Sequence, residues 1–174
     1  MKQDDIPVLF SSRQIYERLD ELVQLINHDY EGRGKLLVIC ILHGSFHFST
    51  DLVRKITADF TLDFMEISSY KGEKSPSGKI ELVRDLQQEA KGRDVLVIED
   101  IVDSGATLNF IYEHLKKLEP KSIETAALLV KAEGKKKAPP IRYSGFEVGD
   151  HFAVGYGMDY EGKYRDLPYI GYIK

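Results

Sequence analysis

The chain lacks the sequence features of secreted and membrane-spanning proteins. Its single cysteine, Cys40, cannot form an intrachain disulfide, which fits a reducing compartment. Because Cys40 lies in an apolar, strand-like run, we expect an inert buried thiol rather than a redox or catalytic one. Residues 1–5 contain no apolar core of a signal peptide, and no apolar run approaches the roughly 20 residues of a transmembrane helix. We therefore expect a cytoplasmic protein.

The chain also lacks a dominant charge. It has 24 basic and 28 acidic side chains, hence a formal net charge of -4. This balance gives no overall attraction to nucleic acid or to an anionic membrane, and we expect neither as a partner. There are no internal repeats, low-complexity segments or visible interdomain linkers. The 174 residues are therefore predicted to form one domain, spanning residues 1–174.

Strand-like and helix-like patterns alternate along the chain. A helix is predicted on Ile15, Leu19, Leu22, Val23 and Ile26 behind a capping Ser11 or Ser12, and others at Thr50–Ile56 and Leu108–Leu118. Strands are predicted at Leu36–Leu42, Phe60–Ser68, Ile80–Leu86, Val95–Glu99, Ile123–Val130, Phe152–Tyr156 and Tyr169–Ile173. Tyr70–Lys79 is predicted as a mobile loop and Gly134–Lys137 as a solvated basic loop. The alternation favours an α/β fold with a mainly parallel sheet.

Ligands of such sheets bind at the carboxyl ends of the strands. Several predicted strands are followed by segments with polar residues or glycine, and we expect these segments to converge at one edge of the sheet. They are His43-Gly44-Ser45, Glu99–Thr107, Lys131 and Gly155–Asp159.

The segment Val95–Leu108 is the most informative part of the chain. An apolar strand runs into Glu99 and Asp100, continues to Asp103, and turns through small residues into a helix. Backbone N–H groups of such a turn, together with the helix dipole, attract a phosphate. The carboxylates can accept hydrogen bonds from sugar hydroxyls or hold a divalent cation. An acidic pair considered alone would more often be two solvated side chains.

The residues Glu-Asp-Ile-Val-Asp-Ser-Gly-Ala-Thr-Leu at 99–108 resemble the phosphoribosyl-pyrophosphate (PRPP) motif of the phosphoribosyltransferases, in the form found in the 6-oxopurine (hypoxanthine-guanine) branch. His151–Tyr160 is a second strong match to that branch. The resemblance extends from about Ile6 to the C-terminus. It implies a parallel β-sheet core of about five strands flanked by helices, with a small hood formed by the N-terminal segment and the region after about residue 131.

The resemblance also implies roles for the residues of the acidic turn. Glu99 and Asp100 would hold the ribose hydroxyls, directly or through Mg²⁺, and Asp159 would reach the same metal. Asp103 would act as general acid or base near N7 of the purine, although an aspartate at such a turn often only caps the helix. The 5′-phosphate would lie in the turn formed by Ser104, Gly105, Ala106 and Thr107.

Purine recognition is assigned by the same resemblance. Lys131 would donate to the 6-oxo group, and because an ammonium accepts no hydrogen bond this favours a 6-oxo over a 6-amino base. Phe152 would stack on the purine, while the carbonyls of Ala153 and Asp159 would face its edge. Without the resemblance, Lys131 would be read as a solvated lysine and Phe152 as a core residue.

The pyrophosphate site shows one departure from the family. Many members carry lysine in place of His43, so fixed positive charge there is in doubt, since histidine changes charge near neutral pH. The resemblance suggests that Gly44 and its neighbours act through backbone N–H groups after a non-proline cis peptide at Leu42-His43. Arg165 would contact pyrophosphate, and Ser69-Tyr70 would be the first residues of a catalytic lid.

The activity implied is Mg²⁺-dependent transfer of the 5-phosphoribosyl group from PRPP to hypoxanthine or guanine. The products would be IMP or GMP and pyrophosphate. The alternatives are a xanthine-preferring transferase and a PRPP-sensing regulatory protein. Lys131 together with the Phe152–Asp159 segment disfavours adenine and pyrimidine acceptors, but not xanthine. The partners expected are small-molecule substrates, and the resemblance is the ground for expecting a homodimer or homotetramer.

Overall fold

The computed structural model describes residues 6–70 and 79–173, which form two β-sheets and four helices. The helices are α1 (Ser12–Tyr30), α2 (Phe46–Val53), α3 (Ala106–Lys116) and α4 (Ala132–Lys137). The strands are β1 (Val8–Phe10), β2 (Leu36–Leu42), β3 (Phe60–Tyr70), β4 (Lys79–Arg84), β5 (Asp94–Val102), β6 (Ser122–Lys131), β7 (Tyr143–Val148), β8 (Phe152–Val154) and β9 (Ile170–Ile173).

The larger sheet has the strand order β4-β3-β2-β5-β6-β7. Its strands β3, β2, β5, β6 and β7 are parallel, and β4 returns antiparallel to β3. The α/β class and the parallel core are therefore confirmed. A smaller antiparallel sheet, β1-β9-β8, joins the beginning of the described chain to its end.

Helices cover both faces of the larger sheet, which explains why β2 is apolar along its whole length. Successive side chains of a strand point to opposite faces. Leu36 and Val38 accordingly pack with α1 and α2, whereas Leu37 and Ile39 pack with α3. Helix α1 begins at the predicted place because Ser11 and Gln14 form a capping box, and its predicted apolar residues are buried.

Several predicted boundaries were wrong. The helix predicted at Thr50–Ile56 is α2, which begins four residues earlier because the amide of Ser49 already donates to the carbonyl of Ser45. The basic loop predicted at Gly134–Lys137 belongs to α4, where Lys137 pairs with Glu133 one turn earlier. Strands β1 and β7 were not predicted. Of the loop predicted at Tyr70–Lys79, the two end residues belong to strands, and residues 71–78 lie outside the described chain.

The register of the parallel strands determines which loops become neighbours. Cys40 pairs with Ile98, so the loop after β2 lies beside Glu99 and Asp100. Val102 pairs with Val130, so Asp103, directly after β5, lies beside Lys131, the last residue of β6. Cys40 itself is buried, and burial raises the pKa of its thiol, as expected for an inert cysteine. None of the helices in the described residues is both long and apolar enough to span a bilayer.

Candidate active site

A cleft of about 930 Å³ lies at the carboxyl ends of the parallel strands. It brings together residues from the loop after β2, the turn after β5, the end of β6 and the segment after β8, as predicted from the strand ends. The predicted site residues that line it are His43, Gly44, Glu99, Asp100, Asp103, Ser104, Gly105, Ala106, Thr107, Lys131, Phe152, Ala153, Asp159 and Arg165. Ser69 and Tyr70 are the last two residues of β3; their side chains lie outside the described part of the structure.

Glu99 and Asp100 differ sharply in environment. Glu99 is 7% exposed, and its Oε2 atom is buried with no hydrogen-bond partner among the described residues. Burial and then the charge of Asp100 raise the pKa of Glu99 well above its usual value. Asp100 is half-buried and accepts a hydrogen bond from the amide of Ile101 at 2.8 Å. The alternative of two solvated acids is therefore wrong for Glu99.

The loop after β2 approaches Asp100 closely. A Cβ atom on Gly44 would lie 1.7 Å from Asp100 Oδ2, so a side chain at this position would displace the carboxylate. The peptide bond between Leu42 and His43 is cis, as the resemblance suggested. Behind the loop, a Cβ atom on Gly157 would lie 2.2 Å from the carbonyl oxygen of Gly44. The backbones of these two glycines therefore contact each other directly.

Asp103 and Lys131 form an ion pair, with 3.1 Å between Oδ1 and Nζ. The Lys131 side chain is 14% exposed, whereas that of Asp103 is 60% exposed and faces the cleft. Lys131 is thus not the solvated lysine of the alternative interpretation. The N-cap of α3 is Gly105 rather than Asp103, so the capping alternative for Asp103 is wrong.

Residues Ser104 to Thr107, in the turn before α3 and at the start of that helix, line the cleft. Gly105 adopts the left-handed conformation, with φ of 81°, and makes no side-chain cap. The first N–H groups of a helix have no intrahelical acceptor, so the first turn of α3 can bind an anion. Ser104 is exposed, and its hydroxyl oxygen accepts a hydrogen bond from the amide of Ala106 at 3.4 Å.

Phe152 and the Asp159–Arg165 pair form another wall of the cleft. Phe152 is 47% exposed and touches Tyr160 edge-on, with 5.5 Å between ring centroids, so the core alternative is wrong. Arg165 contacts Asp159 at 2.8 Å and donates to the carbonyl of Gly157 at 2.6 Å. The second oxygen of Asp159 accepts from the amide of Gly162 at 2.8 Å. Both oxygens of Asp159 therefore already have protein partners.

The carboxylates of the cleft differ in how well they fit a magnesium ion. No group of three or more His, Cys, Asp or Glu residues that could hold a metal occurs in residues 6–70 and 79–173. Magnesium commonly takes only one or two carboxylates and completes its shell with water and substrate phosphates. The unpartnered oxygen of Glu99 beside Asp100 fits this mode, whereas Asp159 would have to exchange a present partner.

Glu66 and His151 also line the cleft, although no role in the site was predicted for either residue from the sequence. Glu66 Oε1 lies 3.7 Å from His43 Nε2. Leu42, the last residue of β2, pairs with Glu66 in parallel register, so Glu66 reaches the same sheet edge. In the sequence, Glu66 is one polar residue of an alternating strand pattern. One sequence does not show how far neighbouring strands extend past one another, so the position of Glu66 at the sheet edge could not be predicted. His151, next to Phe152, gave no separate signal.

Comparison with known proteins agrees with this geometry. Residues 9–161 match the family described as the phosphoribosyl transferase domain. The parallel sheet and the acidic turn thus define a phosphoribosyltransferase.

Individual relatives narrow the class. The chain is 46% identical over 170 residues to a hypoxanthine-guanine phosphoribosyltransferase of Dictyostelium discoideum, covering 96% of this chain and 94% of the relative. It is 40% identical to the enzyme of that name from Bacillus subtilis, covering 100% and 96%. A crystal structure of a hypoxanthine-guanine phosphoribosyltransferase from Bacillus anthracis superimposes with a TM-score of 0.90 at 40% identity, covering 98% of this chain and 100% of the other. This chain therefore belongs to the hypoxanthine-guanine branch of the phosphoribosyltransferase family.

The burial of Glu99 predicts a pH-dependent effect of Glu99→Gln on stability. As the pH rises above the ordinary glutamate pKa of 4.5, the unfolded chain releases this proton while the folded chain keeps it. The folded state then binds more protons than the unfolded state, so Glu99 makes stability fall with rising pH. Glutamine has no such proton. The free energy of unfolding of Glu99→Gln relative to the parent should therefore increase above pH 4.5 and level off once folded Glu99 ionises.

The measurement is urea denaturation at a series of pH values, with a chelator present to exclude divalent cations. Exposed Glu89→Gln is the matched control and should show a nearly constant difference from the parent. A pH-independent difference for Glu99→Gln would contradict the assignment of Glu99 as a buried carboxyl with a raised pKa.

Proposed function

We propose that this chain transfers the 5-phosphoribosyl group from PRPP to hypoxanthine or guanine, giving IMP or GMP and pyrophosphate. The observation that carries the proposal is the position of Lys131 beside Asp103, within one cleft that also holds the anion-binding turn and exposed Phe152. A sugar phosphate and a flat 6-oxo heterocycle can then bind next to each other. The names of the relatives support the same activity.

The sugar-phosphate half of the substrate would bind the end of β5 and the turn after it. Backbone N–H groups and hydroxyls of Ser104 to Thr107 would donate to the 5′-phosphate. Glu99 and Asp100 would accept hydrogen bonds from the ribose hydroxyls. Because Glu99 Oε2 is buried without a partner among the described residues, a donor or cation brought by the substrate would stabilise it.

The purine would bind between Lys131 and Phe152. The Lys131 ammonium would donate to the 6-oxo group and Phe152 would stack on the ring, while the carbonyls of Ala153 and Asp159 would face the base edge. As N9 of the purine bonds to carbon 1 of the ribose and the bond to pyrophosphate breaks, the proton at N7 would pass to Asp103. Asp103 is exposed to the cleft, as a group that exchanges protons with a substrate must be.

The leaving pyrophosphate would bind at the loop after β2. His43, Gly44 and Arg165 would contact it, and the lid that begins at Ser69 and Tyr70 would exclude water from the reacting carbon. Glu99 and Asp100, with Asp159 after it exchanges a partner, would hold Mg²⁺. Bound there, the metal supplies positive charge to the oxygens of the leaving pyrophosphate.

We also propose one domain over residues 1–174, with the sheet β1-β9-β8 and the region after 131 as its hood. The resemblance supports a homodimer or homotetramer. The single buried cysteine is compatible with a reducing, cytoplasmic setting.

The direct test of the function mixes purified protein, PRPP and Mg²⁺ with each purine base and separates the products by chromatography. Monophosphates should form from hypoxanthine and guanine, with little from adenine, because Lys131 favours a 6-oxo group. Turnover mainly of xanthine would favour the xanthine-preferring alternative. PRPP binding without turnover of any base would favour the regulatory alternative and contradict the proposal.

Asp103→Asn tests the proton-transfer role. The amide keeps the shape of the side chain but cannot take a proton, so turnover should fall by about 10²–10⁴-fold. PRPP affinity, measured by calorimetry, should change by less than about tenfold. Asp59→Asn is the matched control. Asp59 is exposed and directly precedes β3, at the edge of the sheet opposite the carboxyl ends that form the cleft. Full turnover by Asp103→Asn would remove Asp103 from the mechanism.

His43→Ala tests whether the histidine supplies charge to the pyrophosphate loop. A protonated His43 would offset Glu66 and attract PRPP, and protonation of histidine is greater at low pH. The substitution should therefore raise the KM for PRPP more at about pH 6 than at about pH 8. Glu66→Gln, which removes the opposing charge, should lower the KM in the parent background. Equal effects of His43→Ala at both pH values would dismiss the charge role.

A further inference from the structure

Helix α4 lies along the turn that precedes α3. A Cβ atom on Gly134 would lie 2.5 Å from the carbonyl oxygens of Val102 and Asp103. Directly after α4, a Cβ atom on Gly105 would lie 2.8 Å from the amide nitrogen of Ala138. The turn therefore contacts α4 within the helix and again directly after it, and at both contacts a glycine permits the close approach.

Asn109 joins the two elements with its side-chain amide. Its Nδ2 atom donates to the carbonyl of Gly105 at 3.0 Å and to the carbonyl of Lys137 at 2.9 Å. The same Gly105 carbonyl accepts from the backbone amide of Asn109 at 3.0 Å. Both protons of one amide group are thus used to connect the N-cap of α3 to the last residue of α4.

This connection links the two halves of the proposed substrate site. Gly105 sets the direction of the N–H groups that would receive the 5′-phosphate. Helix α4 begins directly after Lys131, the residue that would receive the purine oxygen, and Lys131 is its N-cap. A rigid turn can bind phosphate without losing conformational freedom on binding, whereas a loose one must be ordered by the ligand.

We infer that Asn109 is a positioning residue. It fixes the turn before α3 against α4 and so sets the position of that turn relative to Lys131. The inference rests on the proposed function, because it needs a ligand that spans phosphate and purine. Asn109 is exposed on the first turns of α3, so its loss removes hydrogen bonds without opening the core. In a variant without the Asn109 amide, the packing of Gly134 and Gly105 on their neighbours would still keep α4 in place. The turn before α3 would become more mobile.

The test compares the binding of IMP and of inosine by calorimetry, since the nucleoside has the same base and sugar but no phosphate. Asn109→Leu, which has similar size and no donor, should weaken IMP binding about three- to tenfold while inosine binding changes less than about twofold. Asn109→Asp, which also cannot donate to two carbonyls, should behave like Asn109→Leu. In turnover assays, the KM for PRPP should rise more than kcat falls.

Asn27→Leu is the matched control. Asn27 also donates to a main-chain carbonyl, that of Lys55 at 3.1 Å, and accepts from the amide of Thr57, but it lies on α1 away from the cleft. It should lower the melting temperature at least as much as Asn109→Leu and leave both ligand affinities unchanged.

The outcomes separate the two claims. If the parent protein binds IMP but both Asn109 variants bind IMP and inosine as the parent does, or lose both equally, the positioning role is overturned and the proposed function stands. If the parent binds no IMP and makes no nucleotide, the proposed function fails, and the role of Asn109 fails with it.

Discussion

The register of the parallel strands β2, β5 and β6 is the constraint on which the site depends. Pairing of Cys40 with Ile98 brings Gly44, in the loop after β2, against Asp100. Pairing of Val102 with Val130 brings Asp103 beside Lys131. A slip by one residue would move every side chain to the opposite face of the sheet, where the close-packed residues of the other core would not fit it. The same burial that stabilises the fold therefore fixes the distances between groups that are far apart in sequence.

Burial of Glu99 places a cost on this arrangement. A carboxyl group at the end of the central strand, without a partner among the described residues and beside a second carboxyl, disfavours its own ionised form. Proteins tolerate such groups where a ligand stabilises them, and functional sites commonly contain titratable groups with perturbed pKa values. The surrounding glycines have a related role: Gly44, Gly105 and Gly134 each allow a backbone contact that a side chain would prevent. Close backbone approach and a buried carboxyl group are thus both features of the cleft.

Much of the fold and of the site could be predicted from the sequence, because the signals were local. The apolar run of β2, the capped amphipathic α1 and the acidic turn after β5 each carry their own pattern. The placement of α4 against the turn and of Glu66 in the cleft depended on contacts between segments distant in the sequence. Helix α4 is short, so its pairing with the turn, rather than helix propensity, forms it. The position of Glu66 opposite His43 follows from tertiary placement, which periodicity does not encode.

The central claim is that one cleft holds a sugar phosphate at the acidic turn and a 6-oxopurine between Lys131 and Phe152. A crystal structure of the protein with IMP and Mg²⁺ tests it most directly. The account predicts phosphate at the N–H groups of Ser104 to Thr107, the ribose at Glu99 and Asp100, and the purine oxygen within hydrogen-bond distance of the Lys131 ammonium. IMP bound at another surface, or with its base turned away from Lys131 and Phe152, would contradict it.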